Sequence, residues 1–306
     1  MLPIATARRC LLLLPLLAVG AGFSCAGPQG AKPPSSGVRA YGKPETLCKI
    51  TDPEVDESSG IAPSLAQPGV WYTHNDSGDS ARFFRFDESG KVTAVFSLEG
   101  AQALDWEDMA SAKVGEKRYL YFGDIGDNAE KRSSVVVYRV EEPRGEGRAL
   151  TAFDRFELTY PDGPHNAETL MVRPETGDLY LVAKTAKGPA GVYRLDGAAT
   201  PGKHGLTRVG ELNLPGALEP MRLATGGDVS PDGRFVVVRT YLGAYEYAAG
   251  KGSAFDDWIA SRPKSIVLAG ELQGEGIAYS QDGRWLVTTS EKAPCPVSRV
   301  EIVTSR

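Results

Sequence analysis

The sequence predicts an all-β fold, a single β-propeller of five blades, on three observations. First, an acidic or glycine-flanked step leads five times into a short apolar strand. The steps are Glu57-Ser58-Ser59-Gly60-Ile61, Trp106-Glu107-Asp108-Met109-Ala110, Ala167-Glu168-Thr169-Leu170, Gly227-Asp228-Val229 and Gly274-Glu275-Gly276-Ile277. Second, with Ile61, Met109, Leu170, Val229 and Ile277 taken as equivalent, the intervals are 48, 61, 59 and 48 residues. Such a period, at several strands per repeat, marks a ring of small sheets. Third, each period divides into four runs rich in β-branched and aromatic residues, bounded by turn residues.

Taken in order, the first repeat supplies strands at 59–63, 70–74, 82–87 and 92–98. The second supplies 108–112, 119–123, 134–140 and 153–160, and the third 168–173, 179–183, 191–196 and 206–214. The fourth supplies 227–230, 235–240, 244–247 and 265–268, with a short helix at 250–262 around Phe255-Asp256-Asp257-Trp258-Ile259. The fifth supplies 276–280, 285–289 and 298–303, one strand short. Residues 46–51 fill the vacancy, so the N-terminal strand completes the last blade and closes the ring. A sixth blade within the long second or third period is the alternative. Ser230-Pro231-Asp232-Gly233, Pro174-Glu175-Thr176-Gly177 and Gln281-Asp282-Gly283 join the first and second strands as tight turns.

Residues 1–24 precede the propeller domain (45–306) and have the layout of a secretory signal: Arg8 and Arg9, an apolar run at 11–17, then small residues up to Cys25. Cys25 opens a Pro/Gly/Ser-rich tether at 25–44, as in a bacterial lipoprotein whose cysteine is acylated; plain secretion is the other reading. The chain is thus expected in the cell envelope, on the periplasmic or outer-membrane face, or outside the cell. Its only membrane contact would be the lipid anchor. Losing residues 1–24 removes two cations and no acid, taking the formal charge from −5 to −7, which argues against nucleic-acid partners. A monomer is expected. In an oxidising compartment Cys48 and Cys295 suggest a disulfide stapling the ring closure, with two separate buried thiols as the alternative.

Antiparallel alternation places the connections into each first strand, and those out of each second strand, on one face. That face collects Glu57, Asp105, Glu107, Asp108, His165, Asn166, Glu168, Asp228 and Glu275 from the first kind. From the second come His74, Asn75, Asp76, Asp124, Lys184, Arg239 and Glu291. Asp76-Ser77-Gly78-Asp79-Ser80-Ala81 and Asp124-Ile125-Gly126-Asp127-Asn128-Ala129 share one pattern. Oxygen ligands around a flexible glycine suit Ca²⁺; ordinary Asx turns are the competing use. The candidate metal set is Asp76, Glu107, Asp108, Asp124, Asp127, Asn128, Glu168 and Asp228. Lys184, Arg239, Glu275 and Asn75 would hold a small anionic ligand or a protein partner, and His74 and His165 are candidate general bases. No Gly-x-Ser-x-Gly, Walker loop, His-Glu-x-x-His or Cys-x-x-Cys occurs, nor any haem, flavin or nicotinamide signature.

Ser59-Gly60-Ile61-Ala62, Thr73-His74-Asn75-Asp76-Ser77-Gly78, Asp105-Trp106-Glu107-Asp108, Gly123-Asp124-Ile125-Gly126-Asp127-Asn128 and Tyr160-Pro161-Asp162-Gly163 followed by His165-Asn166-Ala167-Glu168 resemble a group of uncharacterised exported bacterial β-propellers. The resemblance spans most of 46–293 and implies an exported propeller. More distantly, the acid-before-strand repeats look like the calcium-rich phytase-type and lactonase-type propellers. Two functions follow: a binding or scaffold propeller, with Ca²⁺ at the channel mouth, or a Ca²⁺-dependent hydrolase of an ester or phosphoester.

Overall fold

A computed structural model describes residues 39–304 apart from residue 272. The signal segment and Cys25 lie outside the described residues. Five sheets form. The inner strands Ser58–Pro63, Trp106–Val114, Ala167–Val172, Ala224–Val229 and Gly274–Tyr279 pack on one another in ring order, the first against the last. Each then runs outward through antiparallel partners. In blade one these are Val70–Asn75, Arg82–Asp87 and Val92–Leu98; in blade two, Lys117–Asp124, Val135–Glu141 and Asp154–Thr159. Blade three continues with Leu179–Ala183, Ala190–Leu195 and Thr207–Leu212, and blade four with Phe235–Thr240, Gly243–Ala248 and Lys264–Ile266. In blade five, Trp285–Ser290 and Cys295–Thr304 are followed by Glu45–Ile50, so the first and last parts of the chain share a sheet.

Five blades account for every repeat. The two long periods hold no extra sheet: Ala149–Leu150 adds a parallel edge to blade one, and Gly202–Gly205 one to blade two. The insertion in blade four forms a 3₁₀ segment, Gly252–Ala260. It buries Phe255 and Trp258 beside Tyr180 and Tyr247, and Asp256 accepts hydrogen bonds from Tyr180 Oη (2.6 Å) and Arg194 Nη1 (2.5 Å).

Side chains alternate across each sheet, so every blade offers an apolar face to each neighbour. Five clusters fill the five junctions; Phe83, Trp106 and Phe122 dominate the one between blades one and two. Truncating such an aromatic to Ala costs about 3–5 kcal/mol.

Two expectations at the N-terminus change. The segment expected as tether is already structured at Arg39–Tyr41, which pairs with Cys295–Thr304. Arg39 rests 3.6 Å from the Phe235 ring centroid and donates to Glu246 of blade four (2.6 Å). The expected disulfide is not formed: Cys48 and Cys295 are free, buried thiols. Cys48 lies opposite Val297 and Cys295 opposite Ile50. That diagonal offset places such a pair about 7–8 Å apart, beyond disulfide reach.

Candidate functional site

Each inner strand shifts register where it enters its blade, and the extra residue belongs to the channel mouth. The shifts fall between Ser58 and Ile61, Trp106 and Asp108, Ala167 and Thr169, Ala224 and Gly226, and Gly274 and Ile277. Bulges re-aim a side chain out of the pleat. The residues so placed include Ser59, Glu107, Glu168, Thr225 and Glu275. The two hydroxyls tie blades together, Ser59 Oγ donating to Glu107 O and Thr225 Oγ1 to Gly274 O (3.0 Å). The three glutamates are left around the mouth, each 5–6% exposed.

A second ring comes from the residues that follow each second strand: Asp76, Ile125, Lys184, Tyr241 and Glu291. Asp76, Asp105 and Glu107 each place a carboxylate oxygen within 4.8 Å of the others. Gly126 opens the space beside them: a Cβ there would lie 2.2 Å from Glu107 Oε1 and 2.3 Å from Asp105 Oδ2. Across the mouth, Lys184 Nζ pairs with Glu168 and donates to Tyr241 Oη (2.7 Å). Among the described residues, neither Glu107 nor Glu275 has a hydrogen-bonding or ion-pairing side-chain partner.

Burial without compensation holds these carboxyls above their ordinary range. Desolvation is the largest cause for Glu107, followed by the charges of Glu168, Asp76 and Asp105. Desolvation also raises Glu168, against the pull of Lys184, and pushes Glu275 up to about 8, helped by Glu168 and Glu291. Asp76, Asp105 and Glu291 are raised in the same direction by burial first. Burial alone would lower Lys184, but Glu168 and Tyr241 outweigh it and raise its pKa.

The other acids of the candidate metal set have different surroundings. Asp108 is fully buried and accepts amide hydrogen bonds from Met109 (2.9 Å), Leu170 (2.9 Å) and Gly227 (3.3 Å), spanning blades two, three and four. Asp228 likewise takes the amides of Val229 and Tyr279, both at 2.8 Å, joining blades four and five. Asp124 caps the Leu104 and Asp105 amides and pairs with Arg132 (2.8 Å). Asp127 accepts from Arg132 N (2.6 Å), and Asn128 from Asn166 Nδ2 (3.2 Å). These three brace the loop that positions Asp105. In the matching loop of blade one, Asn75 holds Asp79 and the Glu54 carbonyl while Asp76 faces the mouth.

The two histidines lie apart from this cluster. His74 is enclosed, 5.4 Å from the Trp106 centroid, with Nδ1 2.8 Å from Asn75 O; burial lowers its pKa to about 4. His165 Nε2 lies 2.9 Å from Asp162 Oδ1 and 2.7 Å from Tyr193 Oη. Nor does Arg239 join Lys184 at the mouth, as expected of residues that would hold an anionic ligand. Arg239 is 1% exposed, bonded to Glu271, Gly276 O (2.7 Å) and Thr289 O (2.9 Å), so it joins blades four and five instead.

Two residues were missed as site members. Asp105 was marked only as an acid of this face, although its place before Trp106-Glu107 was a usable signal. Tyr241 had none, since its role depends on strand ends meeting across blades; nor had Glu271, which holds Arg239 in the wall.

A cavity of about 700 Å³ lies between blades one and five on the tight-turn side, lined by Trp71, Trp285, Pro63 and Asp282. Among the described residues, the only metal-compatible grouping is that of Asp76, Asp105 and Glu107. A scan against protein-family models finds no match, and a comparison with curated proteins finds none either.

Proposed function

We propose that the chain is an exported binding propeller whose channel mouth seats a divalent cation, Ca²⁺, on Asp76, Asp105 and Glu107. One observation carries the reading: three carboxylates converge within 4.8 Å while the buried Glu107 has no protein partner among the described residues. Two oxygens on opposite sides of one Ca²⁺ are about 4.6–5.2 Å apart, from Ca–O distances near 2.3–2.6 Å. The donors are all hard oxygen atoms, which favours Ca²⁺, Mg²⁺ or Mn²⁺ over softer metals. Ca²⁺ takes six to eight oxygens, so three side chains leave positions for water and ligand. The charged start, apolar run and small-residue end of 1–24 support export, and Cys25 supplies the acylation point of a lipid anchor.

Hydrolysis of a phosphoester is the weaker reading. A dianionic substrate would enter a mouth bearing Asp76, Asp105, Glu107, Glu168, Glu275 and Glu291, with Lys184 already paired.

The metal is tested by melting the protein in millimolar Ca²⁺ and in chelator. A native-state ligand at 100 times its Kd stabilises by about 2.7 kcal/mol, so Tm should rise with Ca²⁺ and the rise should vanish in Glu107→Gln. Equal Tm values in both buffers would refute the site. Turnover of ester or phosphoester substrates, lost in Glu107→Gln, would favour the hydrolase.

A further inference from the structure

We infer that the blade-five side of the mouth binds an ammonium group, the primary amine of a polyamine or of a lysine side chain on a partner, seated on Glu275 beside Tyr241. The inference rests on the mouth being a binding site. Glu275 is 6% exposed and has no side-chain partner among the described residues. It stands inside the register shift of its inner strand, as Glu107 and Glu168 do in theirs, which turns its carboxylate toward the mouth among the charges of Glu168, Lys184, Glu291 and Arg239. An unpaired buried carboxylate is expensive to ionise, and a cation seated beside it offsets part of that cost.

The occupant's chemistry follows from what surrounds Glu275. A bare metal ion needs several convergent oxygens, and Glu275 belongs to no such grouping among the described residues. An ammonium needs only one carboxylate and a few acceptors around its three N–H donors. The mouth already holds one in that manner: Lys184 Nζ sits on Glu168, donates to Tyr241 Oη, and lies 4.9 Å from the Tyr241 ring centroid. In ring order, Glu275 of blade five flanks Tyr241 of blade four on the side away from Glu168 of blade three.

Charge selects the sign. Among the described residues, six carboxyl groups face the mouth, against Lys184 and, at the rim beside Glu291, Lys292. With Glu275 still protonated and the other five ionised, a seated divalent cation leaves the mouth net negative, and an arriving ammonium favours the ionised form of Glu275. Arg132 is matched by Asp124, and Arg239 by Glu271. Anions are therefore repelled and organic cations drawn in.

Calorimetric titration of the full chain with spermidine, and separately with tetralysine, tests this at low ionic strength with and without Ca²⁺. Binding is expected for at least one probe, weakened at least tenfold in Glu275→Gln and severalfold in Tyr241→Phe. Both variants should keep the Ca²⁺-induced rise in Tm. Preference for spermidine identifies a free amine as the source, and preference for tetralysine a basic peptide. No heat with either probe, or equal affinity in both variants, overturns the inference while a surviving Ca²⁺ response leaves the metal site standing. Amine binding without a Ca²⁺ response would overturn only the metal. Tyr241→Phe decides the matter if Glu275→Gln does not fold.

Discussion

Glu107 and Asp105 meet over Gly126, whose missing side chain is the gap their carboxylates share: a Cβ there would lie 2.2 and 2.3 Å from their oxygens. Both neighbours are the free ends of side chains, so a methyl group would displace them and leave the backbone in place. Gly126→Ala should therefore fold with nearly unchanged Tm in chelator while losing at least tenfold in Ca²⁺ affinity. Titration of Tm against Ca²⁺ measures both effects.

Asp108 is expected to behave as a brace between blades. Removing its carboxylate leaves the amides of Leu170 and Gly227 unsatisfied in the ring interior, each at about 1–3 kcal/mol. Asp108→Ala should lower stability by roughly 2–5 kcal/mol yet keep the Ca²⁺-induced rise in Tm. If that rise disappears in folded protein, Asp108 belongs among the metal ligands.

Stability should fall as pH rises from about 4 to 8 in the absence of cations. The sign follows from proton counting. Asp228 and Glu275 hold their protons in the folded state up to about 7 and about 8, whereas unfolded carboxyls release them near 4. Across that window the folded chain binds more protons, so raising pH favours unfolding. Glu275→Gln should remove part of the slope and stabilise the protein at pH 8 by roughly 1–3 kcal/mol, with little effect at pH 4. Urea titrations at both pH values test this.

Glu246 gathers Arg39, Tyr41 and Tyr279 on one buried carboxylate. Glu246→Ala strands the buried Arg39 guanidinium, at about 3–5 kcal/mol. Protease should then remove the strand at Arg39–Tyr41 before the rest of the domain opens. Unchanged cleavage order, followed by mass spectrometry, would count against the latch.

Cys48 and Cys295 should both be alkylated in unreduced, denatured protein, and neither in the native state. Burial pushes the Cys48 thiol up to about 11, which suppresses the reactive thiolate. Mass spectrometry of the two peptides gives the answer, and reducing agent should leave Tm unchanged.

The ring was legible because its cause is periodic: four apolar runs per repeat, with turn residues at fixed places. Residues 46–51 were recognisable as the closing strand because blade five lacked one. The mouth was legible only in outline. The acid steps marked the right strand ends, but a register shift of one residue decides whether a side chain enters the mouth or the wall. Glu107 and Asp108 are neighbours in sequence and have opposite fates for that reason. Asp76 and Asp124 begin nearly identical loops, yet Arg132 pairs with Asp124 while Arg82 pairs with Asp79. Lys184 and Arg239 looked equivalent near the ends of second strands. Glu271, distant in sequence, draws only Arg239 into the wall.

Blade five unites both ends of the described chain, with Arg39 opposite Thr304 in the ladder. The position of the covalent break is therefore arbitrary in topological terms. A circular permutant joining these two strands by a short hairpin, and opened at the Pro231–Gly233 turn, would retain every strand pairing. Its ends would meet in blade four and no longer in blade five, so comparing its folding rate with that of the parent chain would reveal whether closure of the ring is the slow step.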